Sequence, residues 1–337
     1  MLAYGAMATT RGTGSLTDVP GFRVGHATDA RGLTGCTVVL CGNDGAVPGI
    51  DVRGLATGLR DPGPCDPGHL VPAIHALFLS GGSAYGLDAA AGVMSYLEER
   101  RVGFRLRRAV VPIVPAAILF DLSVGDRRAR PTPSMARRAC LNASRRPVLQ
   151  GNVGAGTGAT VGKLHGMERA MKAGLGSASV RRGRLVVGAL VVVNAWGDVI
   201  DPACGRILAG LRNARHGTRR IGMAGVLSGG GLSRAPRRQV SVPSSTTLGV
   251  VATNARLTKI EAAAVARLAQ VAYARCISPV GTRYDGDVIF CLSRGSVRVD
   301  SLRVGMLAIE AMQEAIVRAA LAARGVCGLP AARDLDA

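Results

Sequence analysis

Short apolar runs broken by glycine and proline alternate along the chain with stretches of helical periodicity. Val38–Leu40 and Ala73–Leu79 are apolar runs bounded by Gly, Pro and polar residues, and they predict strands or short buried segments. Thr246–Thr253 and Asp287–Leu292 predict further strands. Ala109–Asp121 predicts a buried strand with Pro112 and Pro115 near its start. Arg184–Ile200 predicts one long strand or a hairpin. In Gly86–Arg101 the residues Leu87, Ala90, Ala91, Met94 and Leu97 recur at helical spacing, and Glu98, Glu99 and Arg100 solvate the end. Thr258–Cys276 predicts a second helix. Asp300–Arg324 predicts a third, with Leu302, Met306, Ile309, Met312, Ile316 and Leu321 on its apolar side. Gly151–Gly162 is a glycine-rich loop. Met223–Ser245 is the least regular stretch, three glycines followed by LSRAPRRQVSVPSS, and it predicts a mobile linker. Strands and helices alternate unevenly, so helices covering sheets in a layered α/β or α+β architecture are expected.

Length and charge narrow this picture. A chain of 337 residues makes one large domain or two modest ones. Its longest apolar runs, Ala109–Phe120 and Leu185–Val193, fall short of the ~18–20 residues that a membrane span needs. The N-terminal MLAYGAMATTRGTG has no apolar core followed by a cleavage site, so no signal peptide and a cytoplasmic location are expected. The net charge of +20 resides in arginine clusters within connecting stretches. Few aromatic residues interleave with them and no nucleic-acid motif is present, which argues for solvated faces and against a nucleic-acid partner. The eight cysteines form no CxxC and read as reduced thiols. Cys36 and Cys41 with a histidine have poor zinc spacing, and neither a metal nor an organic cofactor is expected.

The candidate chemistry sits near glycines. Only Lys163, Lys172 and Lys259 occur among the many arginines. Lysine can be deprotonated and retuned where arginine cannot, so a lysine kept in a glycine-rich segment is a functional candidate. GNVGAGTGATVGKL fails the P-loop pattern, because Thr157 stands where glycine is required and Leu164 follows Lys163. It fails GxGxxG at Ala159. LSGGSAYGLDAA resembles a nucleophile elbow at Ser83, but Tyr85 stands where GxSxG needs glycine, and a tight turn with a helix cap is the favoured reading. Lys163 reads as a solvated loop lysine or an active cation. Asn194, in VVVNAWGDV, reads as a turn residue or an oxyanion donor. Asp285 and Asp287, in RYDGDVIF, read as a solvated turn or as a carboxylate pair that holds an amine or hydroxyl.

Four hydroxyl residues, Ser244 to Thr247, crowd the start of the Thr246 strand. Either a linker simply ends there, or the chain is cut before Thr246. A cut would free an α-amine beside the threonine hydroxyl. Such an amine has an ordinary pKa of about 7.7–8, suited to general-base work, and threonine with its own N-terminal amine is an activated nucleophile.

Taken together, TDVPGFRVGHATD, GIDVRG, LSGGSAYGLDAAAGVM, VVPIVPAAILFD, GNVGAGTGATVGK, VVVNAWGDV, TTLGVVATNA and DGD resemble the DmpA-type self-processing aminopeptidase/esterase family. That family includes L-aminopeptidase/D-esterases, β-peptidyl aminopeptidases and the endo-type nylon-oligomer hydrolase. The resemblance implies an α+β fold, a four-layer α-β-β-α sandwich of the N-terminal-nucleophile type. It implies a single hydrolase domain over 1–337, cut into 1–245 and 246–337 that stay associated, with a linker at about 223–245. Ser245–Thr246 becomes the scissile bond and Thr246 the nucleophile. Asn194 becomes the oxyanion-side asparagine, Asp285 and Asp287 orient the new amine and hydroxyl, and Lys163 stabilises developing negative charge. The implied partners are a small peptide, amide or ester substrate, the cleaved chain itself and further copies in a homo-oligomer. An acyltransferase of the ornithine-acetyltransferase type and an inactive basic binding or scaffold protein are the alternatives. The chain departs from the family pattern at Ser245, where relatives often carry Asn or Gly, and at Phe120, where some supply a tyrosine hydroxyl.

Overall fold

The computed structural model describes residues 14–229 and 245–336. Its main elements run β1 (Arg23–Asp29), β2 (Thr34–Leu40), β3 (Val47–Val52), β4 (Gly58–Arg60), β5 (Ala76–Ser80), α1 (Ala90–Glu98), β6 (Ala116–Ile118), α2 (Pro133–Leu141), β7 (Leu175–Arg182), β8 (Leu185–Asn194), β9 (Thr246–Ala255), α3 (Lys259–Cys276), β10 (Val288–Val297) and α4 (Ser301–Leu321). One sheet has the order β1-β2-β5-β6-β4 and the other β7-β8-β9-β10-β3. All their pairings are antiparallel except β5 with β6 and β9 with β10.

Three apolar layers separate four structural ones. Between α1, α2 and the first sheet lie Val38, Phe78, Val93, Tyr96 and Ala139. Between the sheets lie Val39, Leu79, Leu190, Val250 and Phe290. Between the second sheet and α3 and α4 lie Val191, Val251, Ala269, Met312 and Ile316. Both faces of the central strands are therefore covered, and β8 is buried at all ten positions. Its period of two still operates: Val187, Ala189 and Val191 face the helices, while Val186, Leu190 and Val192 face the other sheet. This is the expected α-β-β-α sandwich.

Helix starts are capped as the residues dictate. The Thr258 hydroxyl accepts from the Glu261 N–H, and the Glu261 carboxylate accepts from the Thr258 N–H in return. The Asp300 carboxylate accepts from the Leu302 N–H.

Four sequence expectations are corrected. Ala109–Asp121 is two short strands, Val110–Val111 and Ala116–Ile118, because Pro112 and Pro115 supply no N–H to a ladder. On α1 the buried face is Ala90, Val93, Tyr96 and Leu97, and Ala91 is exposed. On α4, Ile309, Met312 and Ile316 are buried, but Leu302 and Met306 are 61% and 52% exposed. Leu302 and Met306 lie on the helix face turned away from the core, while Val304 and Gly305 between them are buried. The expected linker begins with a helix at Met223–Ser228, whose Met223 N–H donates to the buried Asp198 carboxylate at 2.5 Å. The remainder, 230–244, lies outside the described residues. No described helix is long and apolar enough to cross a membrane.

Candidate active site

Thr246 opens β9 and Asn194 closes β8, and the antiparallel register sets them directly opposite each other. Asp285 and Asp287 lie just before β10, which runs parallel to β9. Their turn is clamped by the segment after β3. The Arg53 and Gly54 N–H groups donate to the Asp287 carbonyl at 3.0 Å, and the Ala56 N–H donates to that of Asp285 at 3.1 Å. The GIDVRG motif thus serves as a backbone clamp on the Asp-Gly-Asp turn. Residues far apart in sequence converge because the two middle strands begin and end on one edge of the sandwich.

The Ser245–Thr246 peptide sits at the centre. The Thr246 hydroxyl donates to the Ser245 carbonyl oxygen at 2.7 Å. The Gly286 N–H donates to that same oxygen at 2.8 Å. One carbonyl thus has an adjacent hydroxyl and a fixed amide donor, the arrangement that stabilises an oxyanion formed there. Gly286 packs too closely for any side chain: a Cβ would lie 2.6 Å from the Ala56 carbonyl oxygen and 2.8 Å from the Thr246 hydroxyl. Gly286→Ala is expected to displace the turn and to destabilise the fold by about 1–3 kcal/mol. Thermal unfolding of the variant beside the wild type checks this.

Lys163 is buried rather than solvated. Its Nζ donates to Asn194 Oδ1 at 2.9 Å, to the Asn194 carbonyl at 3.0 Å and to Ser245 Oγ at 3.3 Å. Burial pulls its pKa down to about 7, against the opposing pull of Asp285, Asp121 and Asp287. Asn194 is fully buried and is not a turn residue. Its Oδ1 also accepts from the Thr160 N–H, and its Nδ2 donates to the Phe120 carbonyl at 3.0 Å. Position 120 therefore serves through its backbone, which a phenylalanine supplies as well as a tyrosine.

The carboxylates are equally buried, and they differ. Asp285 accepts from the Trp196 N–H at 3.1 Å, the Thr282 N–H at 3.1 Å and the Thr282 hydroxyl at 2.6 Å. Asp287 accepts from the Thr247 N–H at 2.7 Å, while its Oδ2 has no hydrogen-bond partner among the described residues. Burial, then the nearby Asp285 charge, raises the Asp287 pKa to about 7. Asp285 is thus held by three donors, whereas Asp287 keeps one carboxylate oxygen open among the described residues.

Several contributors were missed by sequence reasoning: the Gly286 N–H, the Phe120 carbonyl, Thr160 and Tyr273. The Tyr273 hydroxyl donates to the Thr247 and Val288 carbonyls at 3.3 Å beneath the site. Backbone groups leave no residue-type signal. Lysine scarcity did mark Lys172. It is fully buried, and its Nζ donates to the Thr157 and Ala159 carbonyls at 3.0 and 2.5 Å, bracing the loop that carries Thr160. Burial lowers its pKa to about 7. Between pH 7 and 8.5 the native Lys172 is then neutral while the unfolded one stays protonated, so the unfolded state binds more protons and stability rises with pH. The Tm increase over that window is expected to be smaller in Lys172→Met than in the wild type.

Other candidates separate from this site. Among the described residues the Ser83 hydroxyl makes no hydrogen bond, and Ser83 begins a 3-10 turn with φ 55°. Cys36 faces α1 and α2 whereas Cys41 faces the space between the sheets, and burial pushes both thiols up to about 12. They form no zinc pair.

Known proteins share this frame. The profile described as Peptidase family S58 matches residues 14–332. An uncharacterized aminopeptidase of Mycobacterium tuberculosis is 37% identical over 345 aligned residues, covering 95% of this chain and 97% of that protein. A 6-aminohexanoate-oligomer endohydrolase of Kocuria sp. is 32% identical over 330, covering 93% and 89%. Among solved structures, a Burkholderia sp. beta-aminopeptidase superposes with a TM-score of 0.69 at 22% identity, covering 94% of this chain and 88% of that one. The L-aminopeptidase D-Ala-esterase/amidase of Ochrobactrum anthropi, described as a variant of the Ntn hydrolase fold, superposes with a TM-score of 0.65 at 20% identity, covering 96% and 92%. With the profile match spanning the sandwich and two such relatives aligned along more than nine-tenths of its length, this chain belongs to peptidase family S58 and is a hydrolase.

Proposed function

We propose that the chain cuts itself between Ser245 and Thr246, and that Thr246 then serves as an N-terminal nucleophile against amide or ester bonds of small peptide-like substrates. The observation that carries this is the Ser245 carbonyl oxygen, held at once by the Thr246 hydroxyl and the Gly286 N–H. In the self-cutting step Thr246 Oγ bonds to the Ser245 carbonyl carbon and its proton passes to the departing Thr246 nitrogen. The C–N bond breaks and an ester remains. Gly286 bears the charge on the oxygen meanwhile. Water hydrolyses the ester, leaving a Ser245 carboxylate and a Thr246 amine.

The unpartnered Asp287 Oδ2 is an acceptor for the new ammonium. In turnover the neutral amine takes the hydroxyl proton as Oγ attacks the substrate carbonyl. The amine then protonates the leaving nitrogen, and water releases the acyl group. Asn194, across from Thr246 and backed by Lys163, supplies the oxyanion side. No step calls on a cofactor.

The similarity to a 6-aminohexanoate-oligomer endohydrolase and to aminopeptidases supports linear amides with a free amine as the substrate class. Eight unpaired cysteines, six of them buried, support a reducing, cytoplasmic setting. Exposed Ile260, Leu302 and Met306 on α3 and α4 support assembly into a homo-oligomer.

The test is intact mass and N-terminal sequencing of the purified protein, followed by assay on 6-aminohexanoate oligomers and aminoacyl p-nitroanilides. A fragment beginning Thr-Thr-Leu-Gly and release of free amine are expected. A single stable chain with no turnover refutes the proposal. Product formed only when an acceptor amine is added would make the enzyme a transferase.

A further inference from the structure

A cavity of about 510 Å³ is lined by Gly21, Arg23, Gly42, Asn43, Asp44, Arg145 and Arg294. It is remote from Thr246. Arg294 lies seven residues beyond Asp287 along β10, roughly 23 Å at the rise of a strand. Three guanidinium groups meet here with little to neutralise them. Some arginines elsewhere are paired at short range, as Arg137 with Glu99 at 2.6 Å and Arg318 with Glu314 at 2.7 Å, and others stand in solvent; these three share one cavity. In the cavity, Arg294 approaches Asp44 only to 3.7 Å, and the Asp44 side chain is 93% exposed. The Arg294 Nε is buried without a hydrogen-bond partner. Among the described residues, the Arg23 and Arg145 guanidiniums have neither a hydrogen bond nor an ion pair. Gly21 and Gly42 leave the space that the Arg294 head occupies, since a Cβ at either would press on it.

A second cavity of about 330 Å³ shares Arg23, Gly42 and Asn43 with the first. Its remaining walls are Leu40, Tyr96, Leu97, Val102, His75 and Arg100. Arg100 is already engaged, stacked over the Tyr96 ring and donating to the Tyr96 carbonyl. The first space is therefore cationic and the adjoining one mixed, since Leu40, Tyr96, Leu97 and Val102 are all buried and Arg23, Asn43, His75 and Arg100 share its walls. Like charges gathered in one cavity repel each other unless an anion joins them, and guanidiniums match the paired oxygens of phosphate.

We propose that the first cavity binds a phosphate group, held by Arg23, Arg145 and Arg294. The site is independent of the Thr246 chemistry.

Calorimetric titration of the purified protein with phenyl phosphate and with inorganic phosphate, at matched ionic strength, tests this. Binding of both probes is expected at similar affinity, because recognition is confined to the phosphate oxygens. Arg145→Gln and Arg23→Gln should each weaken it by about 10–100-fold, the loss of one charge-assisted contact. Arg181→Gln, an exposed arginine outside the cavity, should leave the affinity unchanged. Arg145 is exposed and unpartnered, so its variant is expected to fold; an unchanged Tm without ligand verifies this. No binding of either probe, or equal weakening in Arg145→Gln and Arg181→Gln, overturns the site. A large preference for phenyl phosphate overturns the confinement of recognition to the phosphate.

Discussion

Replacing Thr246 by alanine is expected to leave one intact chain of 34.6 kDa, where the proposed self-cutting of the wild type yields two. The substitution deletes only the hydroxyl and a methyl group at a buried strand start, so the sandwich persists and the chemistry is lost. Without Oγ nothing attacks the Ser245 carbonyl, although Gly286 still holds its oxygen. Amidase activity should fall by at least ~10³–10⁴-fold, the scale of removing a nucleophile. Thr246→Ser retains a hydroxyl on the same backbone and should still be cut, though more slowly, since the lost methyl frees the χ1 rotation. Mass spectrometry of the three proteins decides. A cut Thr246→Ala chain would exclude Thr246 as the self-cutting nucleophile.

Lys163→Met is the second large effect. Methionine approximates the stem of lysine and removes the donor that touches Asn194 Oδ1, the Asn194 carbonyl and Ser245 Oγ. Both self-cutting and turnover are expected to slow by ~10²–10³-fold, the magnitude of losing one oxyanion-side group. The pH dependence gives a second signature. With its pKa lowered to about 7, Lys163 is a cation below neutrality and neutral above it. Self-cutting precedes any free amine at Thr246, so that amine does not obscure the profile. The rate attributable to the cation should decline as pH rises from 7 to 9 in the wild type, and this decline should be absent in Lys163→Met. Precursor made by cell-free synthesis and followed on denaturing gels at each pH measures it. A profile of the same shape in both proteins would assign the decline to another group.

The two variants probe different layers of the site. In the proposed chemistry Thr246 acts through its own atoms. Lys163 acts through a charge desolvated by Asn194, Thr160 and the Lys172-braced loop around it. The Lys172 and Gly286 substitutions test that enclosure from its two sides.

Much of this site was legible as residue types. Apolar runs marked β8 and β9, and the hydroxyl cluster marked where β9 begins. The scarcity of lysine singled out Lys163 and Lys172. What residue types left open was environment. Lys163, Asn194 and the Asp285–Asp287 turn each had a solvated or turn reading, and burial overturned all three. Local spacing states which face a side chain takes within its own element; it does not state what lies against that face. The same limit explains Leu302 and Met306, apolar residues on the face of α4 that turns away from the core while Val304 and Ala308 face inward.

By itself, the sequence determined the period of each long element, the starts of the helices at Thr258 and Asp300, and the resemblance that led to a four-layer sandwich. Tertiary structure alone decided that β3, early in the chain, closes the sheet containing β9 and β10. It also decided that Asn194 faces Thr246, and that the Gly286 N–H and the Phe120 carbonyl point into the site. The reason is physical. Strands buried on both faces are all apolar and nearly interchangeable by pattern, so their order and register are settled by packing between distant segments. Backbone donors and acceptors are the same in every residue, and only their position distinguishes them.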